Sequence, residues 1–387
     1  MRHPKDELQA DLARRLEERH RAGLLRSLDR EKGLDLTSND YLGLSSDPVV
    51  TQAVSQAVLK HGAGSTASRL LRGHSALFER SENALAEFCG RPSSLIFSSG
   101  YAANVGLLSA LAEPHDVIYS DSLNHASIID GIRLSKAEKR IFPHQDLSAL
   151  GTMLREPVRG RRIIVVESLY SMDGDMTDLQ ELCTVAEAAG AVVIVDEAHA
   201  TGCFGQRGAG RVEELHLEDR VFATVHTGGK ALGVAGAWIA SCQELVDSLV
   251  NHARSFVFST APAPAVVVGL EAAVSRLAAI AERRERLWEN ARWLRHRLNV
   301  EGFDTGRSET YILPIQIGST ALGLRLATAL QEEGFDVRAV RPPTVPEGTT
   351  RLRIAVRADL SRDDLERFAS TLAMRWNAMI SEGNRLR

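Results

Sequence analysis

The sequence contains few cysteines, and none of them belongs to a C-x-x-C pair. They lie far apart, at Cys89, Cys183, Cys203 and Cys242. This spacing argues against a disulfide framework or a zinc knuckle. Because unpaired cysteines are typical of reducing compartments, we predict a cytoplasmic protein.

The chain also lacks a charge excess and long apolar runs. Its formal net charge is −4 among 387 residues, whereas dedicated nucleic-acid-binding proteins usually carry a basic excess. No uninterrupted apolar run approaches the roughly 18 residues of a membrane span. Residues 1–21 are strongly charged and hold no apolar core of a secretory signal. We therefore predict no nucleic-acid partner and no membrane partner.

Several common catalytic patterns are missing as well. The acidic box DEAH (196–199) resembles that of an ATPase, but no G-x-x-x-x-G-K-[ST] phosphate loop accompanies it, because Ala231 follows Lys230. The stretch GAGSTA (62–67) matches a dinucleotide fingerprint but follows a predicted helix instead of a strand. The 12 histidines include no H-E-x-x-H motif and no paired Cys/His spacing, so we predict no metal site.

What the chain does contain is an alternation of apolar strands with helices. Runs such as IIVV (163–166) and VVIV (192–195) suit strands that are covered on both faces. Strands that alternate with helices indicate a mainly parallel sheet. We predict an α/β fold with an N-terminal helical arm (1–46), a large domain (47–278) and a small C-terminal α+β domain (279–387). The arm is predicted to be helical over residues 5–28, with Leu8, Leu12, Leu16, Leu24 and Leu25 on one face.

Polar residues follow four of the predicted strands. The small residues around Gly100 leave helix-start N–H groups open to a phosphate. His125 follows DVIYS and offers a flat ring that can stack on a ligand or handle protons. Asp196 ends an apolar strand, where a carboxylate needs a cation or a donor. Lys230 lies in a glycine-rich loop and has the amine of a Schiff-base lysine.

Each of these residues also has a plain structural interpretation, as part of a turn or as a helix cap. Ligands of parallel sheets bind beyond the carboxyl ends of the strands, which is where all four lie. A phosphate cradle, a stacking ring, a carboxylate for a pyridinium nitrogen and a lysine for an aldehyde are together typical of a pyridoxal 5′-phosphate site. We therefore predict that cofactor.

The same residues lie in motifs that resemble those of the α-oxoamine synthases, a family of fold-type I pyridoxal-phosphate enzymes. The resemblance covers nearly the whole chain, to about Ala358. Its motifs are SNDYLGL (38–44), GSTASRL (64–70), SSGYAAN (98–104), NHAS (124–127), ESLYSMDGD (167–175), VDEAHATG (195–202), TGGKALG (227–233) and RPPTVP (341–346). TGGKALG departs from the more usual T-L-S-K-A-L-G, which leaves the roles of His226, Gly228 and Gly229 open.

The resemblance implies roles for individual residues. It implies cofactor contacts for Gly100, Tyr101, His125, Ser171, Asp196, His199, Thr227 and Lys230, among which Lys230, His125, Asp196 and His199 would be catalytic. Lys230 would bond the aldehyde and Asp196 the pyridine nitrogen. His199 and Ser171 would lie near the 3′-oxygen, and Thr227 near the phosphate.

The resemblance also implies substrate contacts for Arg26, His125, Thr344 and Arg353, with Arg353 on the amino-acid carboxylate. In the predicted strand RLRIAV (351–356), Arg351 and Arg353 share one face. Alternation alone allows one of the two arginines to be solvated. The resemblance selects Arg353 as the carboxylate ligand.

Family members condense an amino acid with an acyl thioester and release CO2. GSTASRL together with RPPTVP most resembles the members that join L-alanine to a pimeloyl thioester in biotin biosynthesis, and it implies a cytoplasmic homodimer. A glycine C-acetyltransferase or a 5-aminolevulinate synthase on the same scaffold remains an alternative. Coenzyme A and an acyl-carrier protein both remain open as the acyl carrier.

Overall fold

The chain forms two compact units in a computed structural model that describes residues 3–385, with side chains through 381. The large unit comprises 39–288 and 357–359, and the small unit comprises the described residues of 1–38, 289–356 and 360–387. The boundaries thus differ from the predicted ones at 46/47 and 278/279. The predicted arm shares a unit with C-terminal residues because Leu34–Asp35 pairs in parallel with Phe335–Asp336.

The large unit contains a seven-stranded sheet. Its strands are β2 (Ser93–Phe97), β3 (Val117–Asp121), β4 (Glu138–Phe142), β5 (Arg162–Glu167), β6 (Ala191–Asp196), β7 (Ala223–Thr227) and β8 (Ala237–Ser241). They lie in the order β2-β8-β7-β6-β5-β3-β4. Strand β8 runs antiparallel to both of its neighbours, β2 and β7, and all other pairs in this sheet are parallel. The predicted mainly parallel α/β sheet is confirmed.

Helices cover both faces of this sheet. They are α2 (Pro48–His61), α3 (Ala76–Phe88), α4 (Gly100–Leu111), α5 (Ala126–Leu134), α6 (Leu147–Leu154), α7 (Leu179–Ala188), α8 (Arg211–Glu214), α9 (Gln243–His252), α10 (Arg254–Val257) and α11 (Pro264–Leu277). In β5, Ile163 and Val165 pack into one core with α4 and α5, whereas Ile164 and Val166 pack into another with α6 and α7. The two-residue period of a strand therefore explains why the run IIVV is apolar throughout.

The small unit is built on short sheets. Its strands are β1 (Leu34–Asp35), β9 (Ile312–Gly318), β10 (Phe335–Asp336), β11 (Ala339–Val340) and β12 (Thr350–Ala355), and its helices are α1 (Pro4–Arg21), α13 (Thr320–Glu332) and α14 (Arg362–Arg385). Strands β11, β12 and β9 form an antiparallel sheet in that order, and β1 pairs with β10. Helix α12 (Ala281–Val300) contains the boundary between the units at 288/289. Because helix continues from α11 into α12 through one 3-10 turn, no loop marks the boundary.

Helix α1 is shorter than predicted and buries none of its residues. It ends at Arg21, before Gly23 with a positive φ of 67°, a conformation that favours glycine and ends helices. Leu8, Leu12 and Leu16 are 62%, 51% and 55% exposed. These three residues form an apolar face that the chain leaves uncovered, whereas the predicted members Leu24 and Leu25 lie beyond the end of the helix.

One helical stretch among the described residues, Pro264–Val300, is long and apolar enough to cross a membrane by length and composition. Val267, Leu270 and Leu277 of this stretch are fully buried, and α11 packs against α2 and α3. The buried apolar residues of α11 therefore belong to the core of the large unit.

Candidate active site

The turn between β2 and α4 lies beside the loop that follows β7. The Ser99 hydroxyl caps α4 by accepting the Ala102 N–H at 3.1 Å. A methyl group placed on Gly100 would lie 3.7 Å from the Thr227 hydroxyl oxygen. The first N–H groups of a helix have no partner within the helix. The structure thus brings the predicted residues Gly100 and Thr227 together at a helix start suited to an anion.

Tyr101 lies at the same turn and is 48% exposed. Its hydroxyl donates to the Asp130 carboxylate on α5. This hydrogen bond raises the pKa of Tyr101 and lowers that of Asp130.

The Asp196 carboxylate at the end of β6 is 5% exposed and is held by two N–H donors. The Asn104 side-chain amide donates to Oδ2 at 2.7 Å, and the Ala198 backbone N–H donates to Oδ1 at 2.8 Å. Asn104 comes from the first turns of α4 and is itself buried. These donors fix the plane of the carboxylate before any ligand arrives.

A chain of hydrogen bonds continues from Asn104 to His125. The second hydrogen of the Asn104 amide reaches the Ser127 hydroxyl oxygen at 2.9 Å, and this oxygen lies 2.7 Å from His125 Nδ1. Nδ1 also accepts the Ser127 N–H at 3.2 Å, so the proton of the neutral ring is on Nε2. Partial burial lowers the pKa of His125, Asp196 opposes this effect and Lys230 adds to it.

Glu167, at the end of β5, is a second buried carboxyl group in this region. It is 4% exposed and pairs in register with Asp196. Its Oε1 accepts the His125 backbone N–H at 2.6 Å. Burial, and then the neighbouring Asp196 charge, raise the pKa of Glu167 to about 8, although Lys230 acts in the opposite direction.

His199 is buried and bonded to Tyr41. Its Nδ1 lies 2.8 Å from the Tyr41 hydroxyl, which donates its own hydrogen to Asn39 Oδ1 at 3.0 Å. The histidine is therefore the donor at Nδ1, and in the neutral ring Nε2 is an acceptor. Ser171 lies in the turn after β5 that the Leu169–Met176 bridge closes.

Lys230 lies half-buried in the loop after β7. A methyl group on Gly228 would come within 2.5 Å of a Leu270 methyl carbon and 2.6 Å of the Val234 carbonyl oxygen, whereas one on Gly229 would meet its nearest atom at 3.7 Å. Gly228 is thus required by packing.

His226 is a core residue. It is stacked on Trp238 with ring centroids 4.9 Å apart, and it is bonded to the hydroxyl groups of Thr201 and Thr224, each at 2.8 Å. Burial lowers the pKa of His226 to about 3, so the ring is neutral.

In the small unit, Arg351 and Arg353 of β12 are 4% and 8% exposed. The alternative that one of them is solvated is therefore wrong, because both faces of β12 are covered. Arg351 Nε donates to the Thr349 carbonyl at 3.1 Å.

Arg26 and Thr344 are joined directly, since Arg26 Nη2 donates to Thr344 Oγ1 at 2.7 Å. Arg341 strengthens this contact by donating to the carbonyl groups of Gly23 and Leu25. The two predicted acyl contacts therefore lie together in the structure.

Sequence reasoning missed Asn104, Ser127, Glu167, Tyr41 and Arg341. Glu167 ends an apolar strand as Asp196 does, so the same signal was available for both. Asn104 lies within a helix, where no spacing distinguishes it.

The residues of the large unit fit pyridoxal 5′-phosphate. A helix start beside a threonine suits the phosphate, and a fixed carboxylate suits the pyridinium nitrogen. The His125 ring and the Lys230 amine supply the stacking surface and the nucleophile. In the described part of the chain, no group of three or more His, Cys, Asp or Glu residues is arranged to hold a metal ion.

Comparison with known proteins identifies the family of the chain. The model of the family "Aminotransferase class I and II" matches residues 31–372. An 8-amino-7-oxononanoate synthase of Geotalea daltonii is 43% identical over 89% of this chain and 89% of its own. The structure of a Sphingomonas wittichii serine palmitoyltransferase has a TM-score of 0.90 at 31% identity and covers 97% of this chain and 99% of that one. An 8-amino-7-oxononanoate synthase structure from Francisella tularensis has a TM-score of 0.78 at 28% identity and covers 90% and 99%.

The chain belongs to the class I and II aminotransferase family of pyridoxal-phosphate enzymes. Within it, the chain is an acyltransferase of the α-oxoamine synthase group, related to the 8-amino-7-oxononanoate synthases of biotin biosynthesis. The predicted family, fold class and cofactor are confirmed.

Proposed function

We propose that the chain condenses L-alanine with a pimeloyl thioester, with loss of CO2, to give 8-amino-7-oxononanoate. The observation that carries this proposal is the convergence of Asp196, His125 and Lys230 at neighbouring strand ends. The chain is also 43% identical to an 8-amino-7-oxononanoate synthase. When bound, the cofactor supplies the electron withdrawal that makes the amino-acid Cα–H acidic. The protein supplies the remaining functions.

Lys230 is proposed as the amine that bonds the cofactor aldehyde and, after alanine displaces it, as the base that takes the Cα proton. Its half-buried position, close enough to influence the pKa values of His125 and Glu167, supports this role. Asp196 is proposed to keep the pyridine nitrogen protonated. The donors from Asn104 and Ala198 hold its carboxylate in place, so little reorganisation is needed when charge develops.

His125 is proposed to stack on the cofactor ring and to donate its Nε2–H to the substrate. The contacts that occupy Nδ1 support that assignment. His199, positioned by Tyr41, and Ser171 are proposed to contact the 3′-oxygen. Gly100 and Tyr101 are proposed to contact the cofactor at the start of α4, and Thr227, which lies beside Gly100, is proposed to contact its phosphate.

Arg353 is proposed to bind the alanine carboxylate, a task that suits a forked guanidinium. Arg26 and Thr344 are proposed as acyl contacts, supported by the hydrogen bond that joins them.

We also propose a homodimer, because the uncovered Leu8, Leu12 and Leu16 of α1 form an apolar stripe. The predicted cytoplasmic location remains a prediction.

A serine-using condensation is the second candidate. It is favoured by the higher TM-score of the serine palmitoyltransferase structure, 0.90 against 0.78 for the Francisella synthase.

The test offers purified holoenzyme alanine, serine or glycine, each with pimeloyl, palmitoyl, succinyl or acetyl thioesters on coenzyme A or on a carrier protein. Product masses are then compared with those from Lys230→Ala. We expect the alanine–pimeloyl product to form fastest. Faster formation of a serine or glycine product would replace the proposed substrates.

A further inference from the structure

His144 bridges two buried carboxylates outside the proposed set of site residues. Its Nδ1 lies 2.9 Å from Asp121 Oδ1, and its Nε2 lies 2.9 Å from Asp175 Oδ2. Asp121 and Asp175 are 2% and 6% exposed. A ring that faces a carboxylate at both nitrogens donates from both and is therefore an imidazolium.

The bridge joins three neighbouring strand ends. Asp121 is the last residue of β3, His144 follows the end of β4, and Asp175 lies in the turn after β5. Asp121 also accepts the N–H groups of Leu123 and Gln145, each at 2.8 Å. The imidazolium therefore connects the segment that leads into His125 with the turn that carries Ser171.

We infer that His144 is a positioning residue, whose charged bridge between Asp121 and Asp175 sets the spacing of the His125 and Ser171 segments for cofactor binding. The inference rests on the proposed function for the cofactor contacts of His125 and Ser171. The bridge itself rests on the distances given above. None of its three members needs to touch the cofactor.

The titratable groups that face His144 are Asp121 from β3 and, from the turn after β5, Asp175 and Tyr170. The Tyr170 ring lies edge-on, 4.5 Å from the imidazole centroid at 87°. Burial alone lowers the pKa of His144, but the two carboxylates outweigh it and raise the pKa to about 9. The bridge is thus charged at neutral pH and loses its proton in alkaline solution.

The test measures the dissociation constant of pyridoxal 5′-phosphate from about pH 6.5 to about pH 10, a range that spans the ordinary and the raised histidine pKa. Wild type is compared with His144→Gln, Asp175→Asn and the control His252→Gln, which changes an exposed histidine on α9. In parallel, the ring carbons of 13C-labelled histidine are titrated by NMR. The resonance that is absent from the spectrum of His144→Gln is assigned to His144.

We expect His144→Gln to bind the cofactor about tenfold more weakly at neutral pH, as for the loss of a charged hydrogen bond. In wild type, the dissociation constant should rise at alkaline pH as His144 loses its proton, and we call this rise the alkaline limb. His144→Gln should lack this limb. Asp175→Asn should move that limb to lower pH, because the imidazolium then faces one carboxylate instead of two. A residue that only stabilised the fold would not produce that displacement.

An unchanged affinity in a folded His144→Gln, or a limb that Asp175→Asn leaves in place, would overturn the inference. If His144→Gln fails to fold, the limb of Asp175→Asn decides. No amino acid or thioester is present, so an error in the proposed substrates leaves these results unaffected. If the cofactor does not bind at all, the proposed function fails. Separately, a His144 resonance that titrates near the ordinary histidine pKa of 6.5 would refute the bridge.

Discussion

The ends of β5 and β6 present two carboxyl groups that are similarly buried but differently hydrogen-bonded. Glu167 is 4% exposed and Asp196 is 5% exposed, and they pair in register. Asp196 is held at both oxygens by N–H donors, whereas Glu167 receives the His125 N–H at one oxygen and carries a raised pKa of about 8. A second buried anion beside Asp196 is unfavourable, which adds to the effect of burial in raising the pKa of Glu167. Burial alone therefore does not identify the carboxylate that works as an anion.

Removing Lys230 should have the largest effect, because it takes away both the amine proposed to bond the aldehyde and the proposed base for the Cα proton. We expect Lys230→Ala to lower turnover by roughly a thousandfold or more, the scale of losing a catalytic base. Turnover and the absorbance of the cofactor–lysine bond report the result. Lys60→Ala, which changes an exposed lysine on α2, is the control. Near-normal turnover of Lys230→Ala would refute the proposed role of Lys230 as the aldehyde-bonding amine and the base.

Asp196→Asn tests the carboxylate that N–H donors hold at both oxygens. The change keeps the shape but removes the negative charge, so exchange of the alanine α-hydrogen in deuterated water should fall by roughly two to three orders of magnitude. Cofactor affinity should fall by less. Glu167→Gln is the matched control and should exchange at close to the wild-type rate. Equal losses of α-hydrogen exchange in Asp196→Asn and Glu167→Gln would show that the two carboxyl groups do not differ in function.

Arg351 and Arg353 extend the comparison to two buried residues of like charge. Arg353→Lys keeps the charge but loses the fork, so the Kd for alanine should rise by about ten- to a hundredfold. Arg351→Lys should have a smaller effect, since its Nε already donates to the Thr349 carbonyl. Spectral titration with alanine measures both constants. A larger effect at Arg351 would move the carboxylate ligand to that residue.

The smallest effect on activity is expected at Glu167, where the contrast appears instead as a pH dependence of stability. Its pKa is about 8 in the folded chain against an ordinary value of 4.5, so the folded protein holds a proton that the unfolded chain has released. Relative to Glu167→Gln, wild type should lose stability as pH rises from 4.5 to 8, by at most about 1.4 kcal/mol per pH unit. Urea unfolding of the cofactor-free proteins measures this difference. A difference that is constant across this range would show that Glu167 is ionised in the fold.

Sequence patterns located the strand ends well, because apolar runs followed by polar residues have a direct physical cause. They led to Asp196, Lys230, His125 and the Gly100 turn. They did not lead to Asn104 or Tyr41, whose importance depends on hydrogen bonds to residues far along the chain. The unit boundaries were displaced for a similar reason: β1 pairs with β10, about three hundred residues later.

The two adjacent glycines before Lys230 differ in how readily each could accept a side chain. The space beside Gly229 is open, so the serine of the more usual T-L-S-K sequence would fit there. At Gly228, Leu270 and the Val234 carbonyl already occupy the place of a leucine side chain. Replacing Leu270 alone would leave the backbone carbonyl in the way. A single substitution at Gly228 should therefore be harmful in this chain, even though the motif that its sequence resembles has leucine at that position.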